Sequence, residues 1–134
     1  MRQKNSQSTV RKLAQNNVGI HNFNFMRNTT REILVRVHAC ATGVGSCPIY
    51  THCWNGWHAS GLISAVALRQ FCDFSPDAAV QYWIDATDSV GNSNYPAIKN
   101  AIREFLPIDA LRISADLKTK ICPQNPYQTL RGNF

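Results

Sequence analysis

The sequence predicts an α/β domain, because two short β-prone runs are interspersed with a series of helical patterns. VGIHNFNF, residues 18–25, and CPIYTH, residues 47–52, have the loose alternation or the composition of short strands. From Asn28 onward, apolar residues recur at spacings of three and four, which is typical of amphipathic helices. The length of 134 residues suits one hydrophobic core, so we expect a single domain over residues 1–134.

Helix start and stop signals place the predicted helices along the chain. One helix begins at Asn28 or Thr29, which can cap it, and ends before Gly43. The helix after the second β-prone run begins at Ser60 or Gly61. The remaining predictions are a disordered start at 1–7, a short helix at 8–16, a helix capped by Ser75 and Pro76, a helix from Pro96 to Phe105, a further helix within 108–121, and a flexible tail at 122–134.

The net charge of +6 is concentrated in the first third of the chain, where Glu32 is the one acidic residue. A basic surface there can attract nucleic acid, acidic lipid or a phosphorylated partner, although a solvated face is the favoured interpretation. No nucleic-acid-binding signature accompanies the charge, so nucleic acid is not an expected partner. No apolar run is long enough to span a bilayer and no signal peptide is evident, so we expect no membrane association and a cytoplasmic location.

The five cysteines are irregularly spaced and contain no CxxC pair, which argues against a disulfide framework. Cys40 and Cys72 lie in apolar helical patterns, where free buried thiols in a reducing compartment are expected. Cys53 alone has a context that favours reactivity.

That context is the segment HCWNGWHASG, residues 52–61, between the second β-prone run and a helix. A helix N-terminus carries unpaired N–H groups and positive partial charge, which stabilise both a thiolate and a bound anion. Cys53 is therefore placed to have a lowered pKa, to which His52 and His58 can add if they are charged. Gly56 allows the backbone amides to converge on one point. This arrangement suits covalent phosphoryl transfer.

The same residues resemble the HCxxGxxRSG signature of protein tyrosine and dual-specificity phosphatases, matching at His52, Cys53, Gly56, Ser60 and Gly61. The order of helices over about residues 28–105 is also similar to the C-terminal half of these enzymes. The resemblance implies a small central, mostly parallel sheet with helices packed around it and a shortened N-terminal part. It also implies that Cys53 is the nucleophile, that Ser60 assists the leaving thiolate, and that phosphate is bound by the backbone amides of Trp54, Asn55, Gly56, Trp57, His58 and Ala59.

The chain departs from the family at Ala59, which stands where the signature has arginine. Arginine grips two phosphate oxygens with a planar fork, which alanine cannot do. His58 as a protonated donor, or Asn55 as an amide donor, can compensate in part, whereas Arg69 is too far along the following helix. The family also takes a general-acid aspartate from upstream of the nucleophile, where this chain has only Glu32, itself expected on a helix.

Four functions are therefore weighed, none of which requires a cofactor other than a metal. The favoured one is a phosphatase-like protein that binds phosphate or a phosphorylated ligand with weak or lost hydrolysis, and the second is an active cysteine hydrolase in which His58 compensates. The third is metal binding, for which the potential ligands are His38, Cys40, Cys47, His52, Cys53 and His58. The fourth is a basic nucleic-acid-binding module. The shortened N-terminal part also makes a homodimer formed by strand or helix exchange a hypothesis.

Overall fold

A computed structural model of the chain describes residues 23–45, 47–52, 59–87 and 95–126, with only the backbone described for 23–27 and 59. The regular elements of this part are all helical. They are α1 (Phe23–Ala41), α2 (Ala59–Phe71), α3 (Pro76–Ala86), α4 (Pro96–Glu104), a 3₁₀ turn (Asp109–Leu111) and α5 (Ala115–Ile121). The predictions for residues 1–22 and 127–134 lie outside the described residues.

The prediction of an α/β fold with a central parallel sheet is wrong for the described part of the chain, which contains no strand. Residues 47–52 form no regular secondary structure, and none of the described segments pairs with them. An isolated β-prone run cannot form a sheet, because its backbone groups need a neighbouring strand. Phe23 and Phe25, which were assigned to the first strand, lie in α1 instead.

Helix α1 begins five residues before the predicted start, so Asn28 and Thr29 lie inside it and do not cap it. Its end agrees with the prediction. Gly43 adopts a φ of +78°, a left-handed conformation that glycine adopts at little cost. The amide of Val44 then donates to the carbonyl of Ala39 over 2.8 Å, which satisfies a carbonyl at the helix end.

The starts of α3, α4 and α5 follow local sequence signals. Ser75 caps α3 by accepting a hydrogen bond from the amide of Ala78 over 3.1 Å, and Pro76 occupies the first turn. Pro96 likewise begins α4. Ser114 caps α5 by accepting from the amide of Leu117 over 3.1 Å, so the predicted helix within 108–121 divides into a 3₁₀ turn and α5.

One hydrophobic cluster joins the helices. Most of the buried members belong to α2, α3 and α4, whereas α1 contributes Leu34 as its one buried member among the described side chains, with Val37 partly buried against the cluster. Trp83 is 1% exposed and its ring meets that of Tyr95 edge-on, with 6.0 Å between the ring centroids. The buried members of the cluster are Leu34, Leu62, Ala65, Val66, Phe71, Phe74, Ala78, Ala79, Val80, Trp83, Ile84, Ile98, Ile102, Leu111 and Ile113.

Candidate functional site

The candidate site is the HCWNGWHASG segment, and the structure describes its two ends. His52 is the last residue of the described segment 47–52, and α2 begins at Ala59. Ser60 is the second residue of that helix. The predicted nucleophile and most of the predicted phosphate cradle lie outside the described residues: Cys53, Trp54, Asn55, Gly56, Trp57 and His58.

Helix α2 is firmly anchored where it begins. Leu62 and Ile63, in its first turn and a half, are 4% and 7% exposed. The hydroxyl of Ser64 donates to the carbonyl of Ser60 over 3.0 Å, one turn back along the helix. The first turn contains no acidic residue that would offset the positive end of the helix dipole. The last three residues of the motif are therefore held in a defined helix whose N-terminus favours an anion.

His52 approaches the motif from the other side. It is half-buried, and its ring centroid lies 5.5 Å from that of Tyr50, at an interplanar angle of 33°. Its Nε2 atom is buried and forms no hydrogen bond with any described residue. Tyr50 is 63% exposed, so the pair of rings reaches from the protein surface to the partly buried His52 at the start of the motif.

Arg69 does not substitute for the missing signature arginine, because it lies near the C-terminal end of α2. Ten residues separate it from Ala59, which corresponds to about 15 Å along a helix axis. Its Nη1 donates to the carbonyls of Ile102, over 2.9 Å, Arg103 and Phe105, which are orphan acceptors at the end of α4. Its guanidinium also lies 5.8 Å from the Phe105 ring centroid, and burial lowers the pKa of Arg69.

Gln70 performs a related task that sequence reasoning missed. Its side chain is 4% exposed and exchanges two hydrogen bonds with the backbone of Ile108, at 3.0 Å to the carbonyl and 2.7 Å from the amide. Arg69 and Gln70 therefore attach the chain that follows α4 to the end of α2. The signal in the sequence was that two adjacent polar residues, Arg69 and Gln70, stand near the end of a largely apolar helix, directly before Phe71.

The prediction of free thiols at Cys40 and Cys72 is wrong in this structure. Cys40 is bonded to Cys47, and Cys72 to Cys122, with Cα atoms 5.3 and 5.5 Å apart. Cys40–Cys47 spans the turn after α1, and Cys72–Cys122 joins the end of α2 to the end of α5. Neither pair has the CxxC spacing that would have indicated it in the sequence. Four of the five cysteines are thereby paired, which leaves Cys53 without a cysteine partner in the same chain.

The alternative of a metal site loses two of its six ligands, since Cys40 and Cys47 are consumed by their disulfide. His38 stacks against Phe71, with 6.5 Å between ring centroids, and so faces the helical core. Within the described residues no group of three potential ligands comes together.

None of the described helices combines the length and apolar content that crossing a membrane requires.

Comparison with protein-family models, curated proteins and solved structures finds no significant match to the chain. The resemblance to cysteine phosphatases therefore depends on the residues of the motif and on the helix that follows it.

Proposed function

We propose that the chain is a phosphatase-like protein whose HCxxGxxxSG segment binds a phosphate group, with hydrolysis weak or lost because Ala59 replaces arginine. The observation that best supports this proposal is the start of α2 at Ala59, so that the last three residues of the segment form the N-terminus of a helix. Amide groups at a helix N-terminus point outward and attract anions, and the first turn of α2 contains no carboxylate to compete. The same helix end favours the thiolate form of a neighbouring cysteine.

The position of Ser60 is consistent with its proposed role. A hydroxyl in the first turn of α2 can donate a hydrogen bond toward a sulfur atom in the preceding segment, which would stabilise the thiolate as a leaving group. His52 immediately precedes Cys53 and supplies a polar group at the opposite end of the segment from Ser60.

The proposed weakness of hydrolysis follows from the missing fork of donors. In phosphoryl transfer, catalysis depends on donors held in place around the transferring group, and loss of one such donor costs on the order of 100-fold in rate. Arg69 has its guanidinium at the carbonyls that end α4, so it does not supply this fork. Glu32 is exposed and lies within α1, and it is not assigned as a general acid.

The first experiment measures phosphate binding and hydrolysis separately. Calorimetric titration of the native protein with inorganic phosphate should show saturable binding, and Cys53→Ser should retain most of it because the amides remain. Turnover of p-nitrophenyl phosphate by the native protein should be indistinguishable from that by Cys53→Ser. Absence of saturable phosphate binding by the native protein would overturn the proposal.

The same assay tests the second candidate, an active cysteine hydrolase. Turnover that depends on Cys53 and falls at least about tenfold in His58→Ala would favour compensation by His58, since general acid–base or donor groups contribute factors of about 100 or more. Loss of activity in Cys53→Ser without an effect of His58→Ala would contradict that compensation.

Restoring the signature residue is a sharper test. If the segment retains the geometry of a phosphate cradle, Ala59→Arg should raise Cys53-dependent turnover by about 100-fold or more. Ala59→Lys is the matched control, because it adds the same charge without the planar fork. Equal turnover by the two variants would show that charge alone, rather than bidentate recognition, was missing.

A further inference from the structure

A cavity of about 380 Å³ opens between α1, α2 and the chain that follows α4. Leu62 and Val66 of α2 are buried at 4% and 3% exposure and form its floor. Leu106 also lines the cavity but is 81% exposed, so its side chain lies at the opening. The remaining apolar lining consists of Ala101, Phe105 and Ile108. The exposed Leu106 side chain therefore lies beside a cavity with a largely apolar lining.

Two opposite charges flank the same cavity. Arg31 of α1 and Glu104 of α4 both line it and both are exposed. Neither is joined by an ion pair to another charged side chain in the described part of the chain. Val35 lies one turn after Arg31 on the same face of α1 and is 44% exposed, which extends the apolar area along the helix.

We propose that this surface binds the same surface of a second copy of the chain. We call it the α1–α4 surface, and it comprises the cavity with Arg31, Val35, Glu104 and Leu106. A two-fold axis through such a surface makes every contact twice, so Leu106 of each copy enters the cavity of the other. The same axis pairs Arg31 of one copy with Glu104 of its partner, and the reverse.

The reciprocal composition of the surface favours a second copy over an unrelated partner. In an isologous interface, each copy must supply both partners of every contact. The α1–α4 surface does so, because it contains the cavity together with the exposed Leu106 side chain, and the cation Arg31 together with the anion Glu104. Surface docking also differs from the exchange of strands or helices predicted from the sequence, because it leaves each fold intact. The dimer is independent of the proposed phosphate binding.

Mass in solution provides the first test. Sedimentation equilibrium of the full chain from about 1 µM to about 1 mM covers the affinities expected for a small interface. Leu106→Asp should raise the dimer dissociation constant by about tenfold or more, since it removes a leucine from the interface and introduces a charge. Val44→Asp is the matched control, because Val44 is 83% exposed and does not line the cavity.

Charge reversal tests the pairing across the two-fold axis. Arg31→Glu and Glu104→Arg should each weaken the dimer, and the double variant should recover at least most of the native affinity. Arg36→Glu is the control on α1, because Arg36 is exposed and does not line the cavity. Far-ultraviolet circular dichroism establishes that each variant is folded. A native chain that stays monomeric over the whole range, a dimer unaffected by Leu106→Asp, or a double variant no tighter than its parents would overturn the proposal.

Discussion

Helices α2, α3 and α4 pack closely against one another, whereas α1 makes fewer contacts, chiefly with α2 and the 3₁₀ turn. Nearly all of the buried apolar side chains belong to the first group or to the turns that follow it, and Leu34 is the member that α1 contributes from its described part. Both regions have helical apolar periodicity in the sequence. The comparison shows that periodicity indicates which face of a helix turns inward, but the number of neighbouring elements decides how much of that face is buried.

The candidate site lies at the boundary between the two regions. Helix α2, which begins within the motif, belongs to the tightly packed group. Residues 47–52, which lead into the motif, are joined to α1 by the Cys40–Cys47 disulfide.

The largest expected effect is on the packed group itself. Trp83→Ala should lower the free energy of unfolding by about 3–5 kcal/mol, because the indole is 1% exposed and its removal leaves a large cavity. The matched change on α1 is Val35→Ala, which should cost no more than about 0.5–1 kcal/mol because Val35 is 44% exposed. Urea denaturation measures both. Equal losses would contradict the distinction between the two regions.

The disulfides provide a second comparison of the regions. Cys72–Cys122 closes a span of 50 residues across the packed group, and Cys40–Cys47 closes a span of 7 residues at the end of α1. By the entropy of loop closure, removing the first with paired alanine substitutions should cost about 4 kcal/mol and removing the second about 2.5 kcal/mol.

Thiol titration of the denatured, non-reduced protein checks the premise of that prediction. With four of the five cysteines paired, one thiol per chain, that of Cys53, should react. Five reactive thiols would contradict both pairings and restore the expectation of free cysteines.

A smaller effect is expected where α2 meets the end of α4. Arg69→Met should cost about 1–3 kcal/mol, because it leaves partly buried carbonyls of Ile102 and Phe105 without their charged donor. Arg69→Lys should recover part of the loss, since an ammonium can reach fewer carbonyls at once. Thermal unfolding measures the change. Phosphate titration should be unaffected, and a loss of phosphate affinity in a folded Arg69→Met protein would contradict the structural role.

The smallest expected effect concerns the ion pair between α5 and the turn after α2. Lys118 Nζ lies 2.9 and 3.1 Å from the carboxylate oxygens of Asp73, which is 56% exposed. Lys118→Ala should cost at most about 1 kcal/mol, and the difference should shrink at high salt. Lys120→Ala is the control, since Lys120 pairs with Asp116 within α5. A salt-independent loss would indicate packing by the lysine stem instead.

Local signals predicted much of the helical framework. Ser75 with Pro76, Pro96, and Gly43 each mark a helix boundary where the structure has one. These predictions succeed because capping and backbone preferences depend on a few neighbouring residues. Burial of Trp83 and Ile102 was predictable for a similar reason, since each lies on the apolar face of a short, regular helix.

Other predictions failed where the outcome depends on distant partners. The run at 47–52 has the composition of a strand, yet it forms none in the described structure because pairing requires a second strand. Asn28 can cap a helix, but α1 begins before it, at Phe23. For the candidate site, the sequence alone identified the motif and the helix at its end. Outside the site, the hydrogen bonds from Arg69 and Gln70 to the end of α4 and the chain after it were visible only in three dimensions.

The sequence by itself thus determined the helix boundaries after the motif, the inward faces of α2 to α4, and the motif with Ala59 in place of arginine. The tertiary structure decided the absence of a sheet from the described part, the pairing of Cys72 with Cys122, and the loose attachment of α1. The physical reason is range. Caps, turns and helix faces are set by residues within a few positions of one another, whereas sheets, disulfides and burial require segments that only the folded chain brings together.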